Sequence, residues 1–239
     1  MTKYATKIIK IRHSFTMDLT ALFRPVIPMI IAISAAGIVK NTGFSGLLQY
    51  ARLIGASAVG LPLCFVVSGL LILVIGRLSP LPYIRKAAAF RVLPFSLANS
   101  SACLPDVITF CRDKLGMDES FTKFAIPAGM QINMDGTAFY VCVTSMMLAR
   151  TFNLPMDNDF IVSLFFVEYF MALTGMGLIV MGPVLSAMGI PESAVTLFIG
   201  IEPVMDMFGT AQSVLGNITS AFICAGDDEE LNKDVYHAY

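Results

Sequence analysis

The sequence predicts an all-α integral membrane protein in which full spans alternate with two interrupted, re-entrant helical hairpins arranged as an inverted repeat. Three observations carry that prediction. The 239 residues are 56% hydrophobic and 14% charged, with no Trp, against roughly 25% charged residues in a soluble domain. Apolar runs near the ~20 residues that a helix needs to cross hydrocarbon recur along the chain. Two of these runs are broken at their centres, and each is followed by an apolar segment with a polar middle.

The same composition excludes several classes. A net charge of −1 offers no basic footprint for nucleic acid. Cys64, Cys103, Cys111, Cys142 and Cys224 stand singly inside apolar runs, and the two histidines, His13 and His237, lie near the ends. That pattern reads as small buried hydrophobes, not a metal or disulfide framework. The start "MTKYATKIIKIRHS" leads into an apolar run without a small-residue cleavage pattern, so no secretory signal is expected.

In order, residues 1–21 form a basic cytoplasmic or interfacial segment. Residues 22–39 form a first span, with Pro25 and Pro28 in its opening turns where a missing N–H costs little. "KNTGFSG" ends it, so that 22–51 comprise a helix and a loop. Residues 53–76 are a clearer span, stopped by "RLSPLP". Residues 83–111 hold two short apolar pieces around "NSSACLP". An unpaired backbone group in hydrocarbon costs several kcal/mol, so such a break belongs where protein or a wet cavity surrounds it. "CRDKLGMDESFTK" is an aqueous connection, 124–149 span again around "NMDGT", and "RTFNLPMDND" is a loop. Residues 160–188 repeat the broken arrangement around "LTGMG". Residues 194–224 then carry Glu202, Asp206, Gln212, Ser213 and Asn217, with a helix break expected at Glu202-Pro203. The remainder, 226–239, reads as an acidic cytoplasmic tail, solvated and mobile.

Charge distribution orients this arrangement in a multi-pass cell-membrane protein. With both termini cytoplasmic and the two broken segments entering from opposite faces, 13 of the 16 Lys and Arg lie inside, and only Lys40, Arg52 and Arg150 lie outside. If the broken segments were full spans the division would be 11 to 5. Paired interrupted segments in an inverted repeat point to a secondary transporter with its site near the midplane.

Asp135, Glu202 and Asp206 sit at bilayer depth, where each ionisable group costs ~2.5 kcal/mol or more. Asp135 either ties the backbone of the "NMDGT" break or binds a ligand, and for Glu202 pinning a helix is as good a reading as ligand contact. Asp206, Thr210, Ser213 and Asn217 follow one another at helical spacing as a polar stripe. Carboxylates, amides, hydroxyls and freed carbonyls are hard donors that suit a small cation or an ammonium. Gly136 would let the "NMDGT" helix open. The N–H groups at the hairpin tips suit a carboxylate. A ligand carrying both charges is an amino acid.

"INMDGTAFY", preceded by "NSSACLP" and followed by "GIEPVMDMFGT", resembles the dicarboxylate/amino acid:cation symporter family, the glutamate transporter family, from about residue 22 to 225. The resemblance implies a glutamate-transporter-like transport domain over 52–225: a helix, a first hairpin at 82–115, a broken helix at 121–150, a second hairpin at 158–188 and a last helix at 191–225. It assigns substrate contacts to Ser100, Ser101, Thr137, Asp206, Thr210 and Ser213, with Asp206 holding the ammonium. It assigns sodium contacts to Gly129, Asn133, Met134, Asp135, Ser213 and Asn217. The partners it implies are an amino acid, Na+ or alternatively H+ as coupling ion, and the bilayer, with no covalent cofactor.

Four departures qualify that reading. Gly209 stands where members with acidic substrates have Arg, which favours a neutral amino acid. Asn217 replaces a sodium-binding Asp, and the second tip, "YFMALTGMG", lacks most of the family's glycines. The match begins at the family's fifth helix. A fragment, a split transporter completed by a partner chain, or a reduced relative is therefore expected, with a homotrimer for the complete assembly. Competing readings are a degraded relative that binds or assembles without transporting, and a membrane hydrolase using Asp135 and Asp206 as a dyad.

Overall fold

A computed structural model describes residues 44–174, 189, 192–227 and 230–238. The basic segment 1–21, the span at 22–39, and the second tip with its return arm to 188 lie outside the described residues, as do the side chains of Glu202, Phe170 and Met171. Nine helices form the described part: α1 Phe44–Val74, α2 Pro80–Phe90, α3 Val92–Leu97, α4 Ser100–Asp113, α5 Glu119–Ile132, α6 Asp135–Thr151, α7 Asn158–Thr174, α8 Glu192–Asp227 and α9 Lys233–His237.

α1 is inverted relative to a helix of a water-soluble protein. Val59, Leu63, Val66, Leu70 and Leu73 are exposed along one face, while Leu53, Ser57, Gly60, Ser68 and Ile72 are buried on the other. Small and polar residues face the protein because they let helices approach in lipid, which itself accepts the apolar face. Its segment Ala51–Val74 is long and apolar enough to cross a membrane. The helix is described from Phe44 onward, so the last part of the loop expected up to residue 51 is helical. Only Gly46 there disfavours a helix, by about 1 kcal/mol.

The break expected over "NSSACLP" is confined to Ala98 and Asn99. Ala98 is left-handed (φ 45°), and the Asn99 side chain accepts from the Ala102 N–H at 2.9 Å, capping α4. Pro105 continues that helix, since its missing N–H removes only the bond to the Ser101 carbonyl. Asp118 caps α5 through Oδ1, which accepts from the Ser120 and Phe121 N–H groups at 2.7 and 3.0 Å. Those donors hold its carboxyl below the usual range. A depressed folded value means that the cap stabilises above the ordinary carboxylate range and that this is lost as pH falls through the lowered value. Asp118→Ala should therefore lower the melting temperature at pH 7, with the difference closing as pH falls through the lowered carboxyl value.

α8 is the central element and packs against α1, α3, α4, α5 and α6. It is continuous from Glu192 to Asp227, so the break expected at Glu202-Pro203 is absent. A proline removes one hydrogen bond, which the packing of so long a helix can offset.

The tail also differs from expectation. Residues 230–232 pair with the α4–α5 connection: the Asp118 N–H donates to the Glu230 carbonyl at 2.8 Å and the Asn232 N–H to the Gly116 carbonyl at 2.7 Å. Tyr236 is fully buried between Tyr83 and Phe222. Its hydroxyl donates to the Ser79 carbonyl and accepts from the Tyr83 N–H. Lys86 Nζ donates to the carbonyls of Lys114, Val235 and Tyr236 at 2.8, 3.0 and 2.8 Å. A charged segment can thus be docked by one aromatic anchor and its own backbone.

Candidate functional site

α5, α6 and α8 build the site around the break at Asn133 and Met134. The Asn133 N–H still closes a helical bond to the Gly129 carbonyl at 2.7 Å. In an unbroken helix the N–H groups of Asp135 and Gly136 would reach the carbonyls of Gln131 and Ile132. Here they turn to side chains. Asp135 N–H donates to Asn133 Oδ1 at 3.4 Å, and Gly136 N–H donates to Asp135 Oδ1 at 2.9 Å and to Ser213 Oγ at 3.1 Å. The Gln131 and Ile132 carbonyls are left without their helical donors. The C-terminal end of α5 thus keeps unsatisfied carbonyls next in the chain to Asn133 and Asp135.

α8 holds that arrangement from the other side. Gln212 Nε2 donates to Asp135 Oδ2 at 3.3 Å, and Asn133 Nδ2 donates to the Ser213 carbonyl at 3.4 Å. Gly136 is inside α6 and serves approach, not opening: a Cβ there would strike the Gly209 carbonyl and the Ser213 nitrogen. A Cβ at Gly216 would likewise meet the Asp135 carboxylate. The helices touch because Gly209, Ser213 and Gly216 form a row of small residues on α8.

The predicted residues fall into four groups. Asn133, Asp135 and Ser213 are joined as described, with Met134 at the break and Thr137 Oγ1 3.9 Å from the Met134 sulfur. Asn217 lies one turn beyond Ser213, against Gly129, and its Nδ2 donates to the Ile126 carbonyl at 3.0 Å. Asp206 is half-buried and accepts from Thr210 Oγ1 at 3.4 Å, within α8. Ser100 and Ser101 occupy the first turn of α4, and among the described residues no hydrogen bond joins them to Asp135 or Asp206.

Two residues to which the sequence reading gave no site role also belong here. Gln212 was visible as an amide inside an apolar segment, beside the small-residue row whose i, i+4, i+7 spacing marks the face turned to α6. Tyr140 gave no such signal. Its buried ring packs over Gly209, where a Cβ would lie 2.9 Å from Cδ1. The space over Gly209 is therefore occupied by an aromatic wall.

One carboxylate with amide, hydroxyl and carbonyl oxygens is a donor set for a hard cation. Among the described residues no group of three or more His, Cys, Asp or Glu is placed to hold a metal ion.

The family model of the sodium:dicarboxylate symporter family matches residues 3–226. The L-cystine uptake protein TcyP of Bacillus thuringiensis is 29% identical over 241 residues, covering 97% of this chain and 51% of that protein. The Bacillus licheniformis TcyP is 29% identical over 233 residues, 90% of this chain and 50% of the relative. The mouse excitatory amino acid transporter 3 is 31% identical over 157 residues, 64% of this chain and 30% of the relative. The chain spans about half the length of the TcyP proteins it matches.

Proposed function

Since the chain belongs to the sodium:dicarboxylate symporter family, a family of membrane transporters, we propose that it carries the ion and substrate stations of a sodium-coupled symporter for a small neutral amino acid. The observation that carries this is the junction of Asp135, Asn133 and Ser213 at the break between α5 and α6. Sodium is bound there as a co-substrate, and its charge is balanced by Asp135. Asn217, committed to the Ile126 carbonyl, acts as a structural tie between α8 and α5.

The substrate ammonium is held by Asp206 and Thr210. Tyr140 over Gly209 offers an apolar wall and no guanidinium, which suits a side chain without net charge. The name of the TcyP relatives, L-cystine uptake proteins, fits a substrate of no net charge as well. α2–α4 form the first hairpin, entering from the cytoplasmic side, and α7 is the first arm of the second, entering from outside. Both chain termini are cytoplasmic. Sodium couples to substrate by favouring the closed second tip, which gives the two ligands differential affinity for one state.

The test is calorimetric, because binding needs fewer of the protein's parts than transport does. Serine, alanine or cystine titrated into the solubilised protein should give heat in sodium and none in choline. Equal heats in both would sink sodium coupling, and no heat with any of them would favour the non-transporting reading. Asp206→Asn should weaken amino acid binding by about 30-fold or more, since removing one member of a desolvated charge pair costs ~2–5 kcal/mol.

A further inference from the structure

We propose that the cleft between α1 and α6 is a binding site for the phosphate group of an anionic phospholipid. The cleft has a volume of about 520 Å³ and places Arg52, Arg150 and Thr151 over an apolar wall that includes Leu53, Met146 and Met147.

Both arginines are exposed, and no ion pair among the described residues neutralises either one. Arg150 alone could be explained by the C-terminal dipole of α6. Arg52 lies eight residues into α1 and has no such reason. Two like charges on neighbouring helices, opening into one cleft, are stabilised by an anion shared between them. A guanidinium fork matches phosphate oxygens in pairs.

The position and the wall select the source of that phosphate. Arg52 sits at the very start of the apolar segment Ala51–Val74, which is headgroup depth for a helix that crosses the bilayer. Below it the cleft is apolar, and the exposed face of α1 continues with Val59 and Leu63. A soluble oxyanion would leave that wall unused, whereas an acyl chain covers it, and methionines adapt to such a chain. Basic pockets between membrane helices hold anionic headgroups in the same way.

The experiment reads lipid and not transport, so its failure is separate from failure of the proposed function. The full chain is purified with equal phosphatidylglycerol and phosphatidylcholine, stripped with detergent, and its retained lipid measured by native mass spectrometry. Phosphatidylglycerol should be retained preferentially, and Arg52→Gln and Arg150→Gln should each reduce that preference about fivefold. Arg52→Lys should keep part of it, and Arg112→Gln, at a residue outside the cleft and paired with Asp113, should keep all of it. Equal retention of the two lipids, or an unchanged preference in the double glutamine variant, would overturn the proposal. Displacement by excess free glycerol phosphate would assign the cleft to a soluble oxyanion and overturn it too.

Discussion

Asp135→Asn is expected to weaken sodium binding about 100-fold or more while leaving the fold intact. Among the described residues the carboxylate accepts from Gly136 N–H at Oδ1 and from Gln212 Nε2 at Oδ2, and a carboxylate has about four lone-pair sites, so acceptor capacity remains for an ion. Asparagine keeps the shape and one acceptor oxygen, and it removes the charge that balances the ion. Loss of a partner that merely orients a metal ligand costs 10–100-fold, and loss of the only carboxylate in the set should cost no less. Sodium titrations followed by calorimetry would show it, with the amino acid heat recovering only at raised sodium. An Asp135→Asn protein that binds sodium as the unaltered chain does would place the ion elsewhere. Gln212→Leu should fall between the two, because it frees the carboxylate without discharging it.

Tyr236→Ala should detach the C-terminal segment and destabilise the protein by about 3–5 kcal/mol, the range for deleting a buried aromatic side chain. The ring fills the space between Tyr83 and Phe222, and its hydroxyl bridges the Ser79 carbonyl and the Tyr83 N–H. Tyr83 in turn reaches α8 through the Leu215 carbonyl at 3.2 Å and Thr219 Oγ1 at 2.7 Å. Losing Tyr236 should therefore loosen α2 against α8 as well as the tail. Hydrogen exchange would read both, as faster exchange over 230–238 and at the start of α2. Tyr236→Phe keeps the packing and removes one donor, so its cost should be near 1 kcal/mol. Unchanged exchange in the alanine variant would mean that the Lys86 bonds and the backbone pairing of 230–232 hold the segment without the ring.

Most of the helical plan was legible because its signals are local. Apolar runs marked α1 and α8, and the polar interruption in "NMDGT" marked the α5–α6 junction to within two residues. Local chemistry also misled. Glu202-Pro203 reads as a break, yet a helix of 36 residues supported along its length continues through it. The tail reads as solvated from its acidic residues, and one tyrosine decides otherwise. The site was half legible. Asn133 and Asp135 stood out as polar groups at depth, but which α8 residues meet them depends on the face that the small-residue row presents.

By itself the sequence determined that this is a helical membrane protein of one transporter family, with an oxygen-rich break at Asn133 to Asp135, because composition, apolar run length and a short motif are properties of neighbouring residues. Only the tertiary structure decided that Gln212 and Ser213 complete that break, that Tyr140 stands over Gly209, that Asn217 is tied to Ile126, and that Tyr236 anchors the tail. Each joins segments far apart in the chain, and such contacts follow from how helix faces pack, which residue spacing along one helix does not specify.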